Sequence, residues 1–353
     1  MPPTDLRTYV QSFIEEQMPV ELAENDLSSF DRLSSSLGFE CYYDKENLFV
    51  RIVDAIVDAA QGRFLLAKLY TNSLNCQPSL RDIEDAITEM QQRRRDLSET
   101  IDIMYEKDMN ERIKGQEPDN VKFALQVLSV VSCARRNLRL DELQHALATR
   151  LGDAQHYPKG IRRREQILHV TKGLITIETD LGQIVRFDHL TLADYLHRTR
   201  EKWFPEGEIA MANVCLTYLS FDTFSKPCTM EEFSAKETSH PFLSYAVQFW
   251  GDHVRKAGPQ VHEAAIRYLK DPSRVEAYVQ CAWAADTKHY DKWDVRKLVH
   301  PLHIYAWFDL WDLISALDYQ NLDLDVQEGT YGQTPLMYAC RRGNLMTTLR
   351  LLE

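Results

Sequence analysis

The residues whose types and spacing could carry chemistry are a few histidines, arginines and cysteines. His189 stands in FDHLTLADYL, where a helix is about to begin. The free N–H groups of a helix start and an imidazolium both favour an anion there. The same position suits a plain cap that bonds the backbone between hairpin and helix, and Thr191 with Asp194 has the T-x-x-D spacing of a capping pair. His300 and His303 are three residues apart, but a zinc site needs a third ligand and none lies near. Cys133 falls on the apolar face of a helix, a position for core rather than for a nucleophile. Asp102, Glu106 and Asp108, close to Arg93, Arg94, Arg95 and Arg112, read as a charge-laced helical surface. There is no GxSxG and no GxxxxGK[ST]; no glycine precedes a Lys-Ser or Lys-Thr pair, and the GTYG at Gly329 lacks a following lysine. The expectation is a chain with no catalytic residues, no metal and no cofactor of its own, that is, not an enzyme.

Composition sets the frame for these residues. The chain has 353 residues, 44% of them hydrophobic and 27% charged, which is globular rather than disordered composition. Its net charge of −12 argues against a general nucleic-acid or anionic-membrane binder. No apolar run reaches the roughly 18 residues of a membrane span, and the N-terminus lacks a signal pattern. Cys41, Cys76, Cys133, Cys215, Cys228, Cys281 and Cys340 are dispersed and form no CxxC, as expected of reduced thiols and a cytoplasmic location.

The periodicity predicts a mainly α chain in four parts. Residues 1–118 read as a helical domain: Phe49, Ile52, Val53, Ile56, Val57, Ala60, Phe64, Leu65 and Leu69 recur at three and four spacing, with an interruption at Gly62. Ser79 with Asp82 marks a further helix start, and Met104, Tyr105, Met109 and Ile113 mark another amphipathic turn. Residues 119–204 follow the order of a winged helix. A helix from Val121 to Arg135 leads to an extended step at Leu138 and Leu140. A second helix is capped by Asp141, with Gln144 in the capping-box position, and a third runs from Ile161 to Lys172 and closes at Gly173. The runs Leu174–Glu178 and Ile184–Phe187 then flank a turn with Asp180 and Gly182, a hairpin signal, before a last helix over LTLADYLHRTREKWF. Residues 205–298 read as a second, aromatic-rich helical domain. In residues 299–353, Pro301 and Pro335 are 34 residues apart, and Leu302/Leu336, Ala306/Cys340 and Leu317/Leu351 keep that offset. This is close to the period of an ankyrin repeat, whose turn places His303 where it bonds within and between repeats. Two units are fewer than such solenoids need, so the chain is expected to be a fragment or short relative of a longer protein. Leu345, Leu349 and Leu352 would then form an apolar edge awaiting a further unit.

Taken in order, AAQGRFLLAKLYTNSL, MYEKDMNERIKGQ, LRLDELQHALATRLG, ILHVTKGLITIE, VRFDHLTLADYL and WFPEGEIAMANVCLTYLSFD resemble the region after the NACHT domain in large fungal ankyrin-repeat proteins of the NOD-like receptor (STAND) type. The winged helix resembles the one named after GPI inositol-deacylase, a label that carries no deacylase chemistry. The resemblance implies a regulatory segment between a nucleotide-binding domain and ankyrin repeats, with protein partners. It also implies that His189 contacts the diphosphate of ADP bound by an upstream domain. Winged helices also bind DNA. Residues 119–204 hold 14 Lys/Arg against 10 Asp/Glu, with Arg162, Arg163 and Arg164 opening the third helix and Arg135, Arg136 and Arg139 in a second cluster. Cations in a first helical turn oppose the helix dipole, however, and the rest of the chain repels a polyanion. A stand-alone ankyrin adaptor is the remaining alternative.

Overall fold

The computed structural model describes residues 3–17, 45–60, 64–75, 80–92, 97–179, 182–287, 299–315, 323–329 and 331–353. The chain divides into two compact units, Met1–Glu117 and Pro118–Glu353. It is mainly α-helical, with one small antiparallel sheet.

The first unit contains α1 (Pro3–Gln17), α2 (Lys45–Ala60), α3 (Phe64–Asn75), α4 (Leu80–Gln92) and α5 (Leu97–Asp108). The stripe on α2 faces inward through Ile52, Val53, Ile56 and Ala60, and meets Leu6, Val10 and Ile14 of α1, which are spaced four apart on one face. The side chains of Phe49, Phe64 and Leu65 lie outside the described residues, as do Gly62, Ser79 and Arg93–Arg95. After α5 the helix widens into a single π-turn, Met109–Ile113, which turns Met109 and Ile113 fully inward. Asp108 departs from the surface reading. It is buried against Arg112 at 3.2 Å, and burial raises its carboxyl above the usual range despite the arginine.

The second unit begins with α6 (Pro118–Cys133), β1 (Leu138–Arg139), α7 (Leu140–Ala148), α8 (Arg164–Thr171), β2 (Ile175–Glu178), β3 (Ile184–Phe187), α9 (Leu190–Arg198) and α10 (Arg200–Trp203). The strands lie in the order β1-β3-β2, with Leu138 opposite Val185 and Ile175 opposite Phe187. Helix–strand–helix–helix–hairpin with the first strand completing the sheet is winged-helix topology. The hairpin turn holds Gly182 and Gln183 at positive φ, +81° and +60°; Asp180 is outside the described residues. The core lies between α6, α7, α8 and the sheet and contains Val127, Leu128, Leu143, Ile167, Ile177 and Val185.

Local capping differs from the sequence expectation in three places. α7 starts earlier, with Arg139 as N-cap. Glu142, not Gln144, reaches back to the Arg139 N–H at 2.8 Å. Gln144 lies one turn further on and donates to the Arg162 carbonyl. α8 is shorter than Ile161–Lys172 because Pro158 starts a separate 3₁₀ turn, Pro158–Gly160. It ends with both Lys172 and Gly173 left-handed. Thr191 and Asp194 sit inside α9 rather than capping it.

The chain continues through α11 (Gly207–Leu219), α12 (Met230–Ser239), α13 (Leu243–Ala257), α14 (His262–Leu269) and α15 (Pro272–Thr287). α11 and α13 form the spine. Trp250 of α13 is fully buried, with the rings of Tyr268, Tyr278 and Phe308 at 6.1, 6.1 and 5.3 Å. Two helix pairs follow: α16 (Pro301–Phe308) with α17 (Trp311–Ser315), and α18 (Pro335–Arg342) with α19 (Leu345–Leu352). The second pair is held to the first by polar contacts. Asn344 donates to the carbonyls of Ala306 and Trp307, the Thr347 hydroxyl donates to Asp309 at 2.7 Å, and His303 Nε2 meets the Gln333 carbonyl at 3.0 Å.

α13 meets α16 where Gly251 faces Phe308, and a Cβ on Gly251 would overlap that ring. Gly251→Ala adds about 1 kcal/mol of helix propensity but forces an overpacking penalty of up to about 3 kcal/mol. The expected outcome is a net loss of about 2 kcal/mol, read as a lower denaturant midpoint.

Candidate functional site

Beyond the winged helix the chain bends at Phe204 and enters α11, and its first turn carries Glu208. That start lies hard against α6. A Cβ on Gly207 would come within 2.7 Å of Cys133 Sγ and 3.0 Å of Ser129 Oγ, so any larger residue would have to push these side chains aside. The carboxylate is thereby placed among cations from three other elements. Arg135, just past α6, grips it bidentately at 3.1 and 2.9 Å. Arg200 of α10 donates at 3.0 Å, and Lys256 of α13 lies 3.7 Å away. His253 of α13, fully buried, sets its Nδ1 2.8 Å from Oε2.

The protonation states follow from the bonds. Burial alone would raise the Glu208 carboxyl; the hydrogen bonds from His253 and Arg135 outweigh it and hold the group at about 2. Burial lowers His253 despite its carboxylate partner, so the ring is neutral near pH 7. Its Nδ1–H then donates to Glu208, and its Nε2 accepts the Tyr245 hydroxyl at 2.9 Å. The Tyr245 oxygen in turn accepts the Arg135 N–H at 3.0 Å. Beside this ring of bonds, Arg136 clamps the buried Glu142 at 2.8 and 2.7 Å and lies over the Tyr245 ring. The arrangement is a closed ring of ion pairs and hydrogen bonds. It welds the winged helix to the α11–α13 spine.

The residues singled out from the sequence fare differently. Arg135 and Arg136 are consumed in this joint, and the half-exposed Arg139 pairs with Asp141 at 3.1 Å. Arg162 lies over the Phe123 ring, and Arg162 and Arg163 are exposed. Cys133 is buried, its thiol pushed up to about 11 by burial, so it is no nucleophile near neutral pH. His303 is buried between the helix pairs, and His300 caps α16 by accepting the Leu302 N–H. In the GTYG turn the buried Glu328 carboxylate accepts the Tyr331 N–H at 2.7 Å, and Gly332 has positive φ. His189 is the N-cap of α9, with Nδ1 accepting the Thr191 N–H at 3.2 Å. It is exposed beside Leu190, whose relative exposure is 81%. Among the described residues no group of three or more His, Cys, Asp or Glu could hold a metal ion, and no helix is long and apolar enough to cross a membrane.

Residues 110–202 match the family model of the GPI inositol-deacylase winged helix domain. The matched segment runs from the π-turn through α10, so Arg135 and Arg200 lie inside it while Glu208 and His253 lie outside. No curated protein matches the chain, and no solved structure does. The joint was not legible beforehand: Glu208 is separated from Arg135 by 73 residues and from His253 by 45, and no spacing rule links them. The one local signal was an acidic residue in the first turn of a helix that follows Pro205 and a glycine.

Removing the charge tests the weld. Glu208→Gln leaves the guanidinium groups of Arg135 and Arg200 under-compensated and is expected to cost about 3 kcal/mol. The carboxyl is held below its ordinary value, so its contribution is complete above about pH 4.5 and is lost as pH falls toward 2. Urea midpoints at pH 7 and pH 3 should therefore differ between wild type and variant far more at pH 7.

Proposed function

We propose that this chain is a non-enzymatic regulatory and protein-interaction segment of a NACHT–ankyrin-type signalling protein. It couples a nucleotide-binding domain placed before it to ankyrin repeats, of which the two helix pairs after residue 299 are the first. The observation that carries the reading is mechanical continuity. The winged helix is tied through Glu208 to the α11–α13 spine, and the spine is seated through Gly251 on Phe308 of the first helix pair. A displacement of the winged helix is then passed to the helix pairs rather than absorbed. The spacing of Pro301 and Pro335, and a buried histidine bridging the two pairs, support the ankyrin assignment. Leu345, Leu349 and Leu352, with relative exposures of 66%, 49% and 66%, offer an apolar edge to a protein partner.

The nucleotide enters through His189. It stands exposed at a helix start with Nδ1 already engaged, so its other ring nitrogen would be the atom offered to a β-phosphate. The test uses the chain fused behind a NACHT domain. If His189 senses nucleotide, His189→Ala lowers ADP affinity about ten- to a hundredfold, a charge-assisted contact being worth about 1.5–3 kcal/mol. Unchanged ADP affinity with a lower melting temperature assigns it to the cap alone. Without such a domain, calorimetry with ATP should show no micromolar binding; a clear isotherm would overturn the reading. Arg162 and Arg163 keep one alternative in view. A sharp mobility shift of duplex DNA at near-physiological salt would transfer the function to nucleic-acid binding.

A further inference from the structure

A second contact between the winged helix and the helices behind it has a different chemistry. The connection between α7 and α8 folds back so that Ala154 accepts the Asp222 N–H at 2.9 Å. This brings together three histidines far apart in sequence. His145 on α7 and His156 on the connection stack face to face, 4.1 Å between centroids and 8° from parallel. The His240 ring, at the end of α12, stands edge-on to His156 at 6.2 Å. Tyr218, Phe224 and Phe242 surround them, with Tyr218 5.3 Å from Phe242 and Phe224 5.1 Å from His240. Parallel stacking sets ring nitrogens side by side rather than around a common point, and two of the ring nitrogens have protein partners. His145 Nδ1 is 2.9 Å from the Tyr218 hydroxyl, and His240 Nδ1 is 3.2 Å from the Lys236 carbonyl and 2.9 Å from Ser239 Oγ. The arrangement is a stack of neutral rings, not a metal site.

We propose that His145, His156 and His240 form an acid-sensitive latch that seals the α7–α8 connection of the winged helix onto the α11–α12 corner near neutral pH and releases it on acidification. Charging two stacked imidazoles places like charges in van der Waals contact inside an aromatic box. The ionisable neighbours offset this only in part, since the Asp153 charge favours the protonated form of His156 while burial still holds that ring low. Asp141 lies one turn before His145, and Asp153 near His156 is committed to the Arg150 N–H. Lys236 on α12 adds a cation beside His240. All three rings are held below the ordinary histidine value, chiefly by burial and, for His145 and His240, also by the neighbouring rings. His145 is brought down to about 4. A base whose folded-state value is lowered contributes its full stability above about pH 6.5, and that contribution fades as pH falls and the released form takes up protons. Release frees a segment carrying Leu151 and Tyr157, two of the most exposed apolar side chains, together with Arg150 and Lys159.

Hydrogen exchange read by mass spectrometry on the whole chain, corrected for intrinsic rates, tests the latch. Between pH 7.5 and pH 5.0, residues 150–160 and 236–243 should lose protection by about tenfold or more while α6 and α13 keep theirs. In His145→Gln/His156→Asn the same segments should lose clearly less protection than in the wild type, because of the three rings only His240 still titrates. The single variant His156→Asn, on a half-buried loop position, serves where the double variant folds poorly. Acid-induced loss of the same size in the variants overturns the proposal. So does loss confined to residues around Glu208 and His253, which would place acid sensitivity in the other contact.

Discussion

A buried carboxylate must be paired or it will not stay ionised, and Glu208 is paired from three elements at once. Its two oxygens collect a bidentate arginine from the end of α6, a second arginine from α10 and a neutral histidine from α13. Each partner is oriented by something else: Arg135 by the carbonyls of Cys133 and Asp252, His253 by Tyr245. Removing any one group leaves the others buried with unmet bonds, which makes the contact cooperative. The close approach of α11 to α6, eased by glycine at 207, brings these groups within reach.

The same constraint changes the meaning of the positive charge in residues 119–204. Counted along the sequence, those arginines form a basic patch in an acidic chain. In space, Arg135, Arg136 and Arg200 neutralise Glu208 and Glu142, and Arg186 pairs with Glu178 across the hairpin. Cations that still face outward include Lys122, Arg150, Lys159, Arg198 and Lys202, and Arg162 and Arg163 just before α8. Part of the winged helix's positive charge is thus spent on fixing its position against the α11–α13 spine.

The two contacts behind the winged helix also differ in how they respond to pH. The Glu208 contact is ionic and persists until its carboxylate is protonated, far below neutrality. The histidine stack is built from uncharged rings and is exposed to change at mildly acidic pH. The joint therefore has an ionic side that persists and a histidine side that titrates.

Periodicity, turn residues and glycine placement already marked α2, the winged-helix order and the β2–β3 hairpin, because these depend on neighbours within a few residues. The apolar burial of Cys133 and of Met109 was equally local, since a residue's place on a helical face follows from its spacing alone. Capping was less legible: Arg139 and Glu142 displaced Asp141 and Gln144 because strand pairing to Ile184 fixed where α7 could begin. What only the tertiary structure decided were the pairings of charge and ring across long separations, Glu208 with Arg135 and His253, and His145 with His156 and His240. A carboxylate in a sequence reads the same whether water or three cations will surround it. Which of these occurs is settled by how closely two helices approach, and here that approach is eased by the missing Cβ at Gly207.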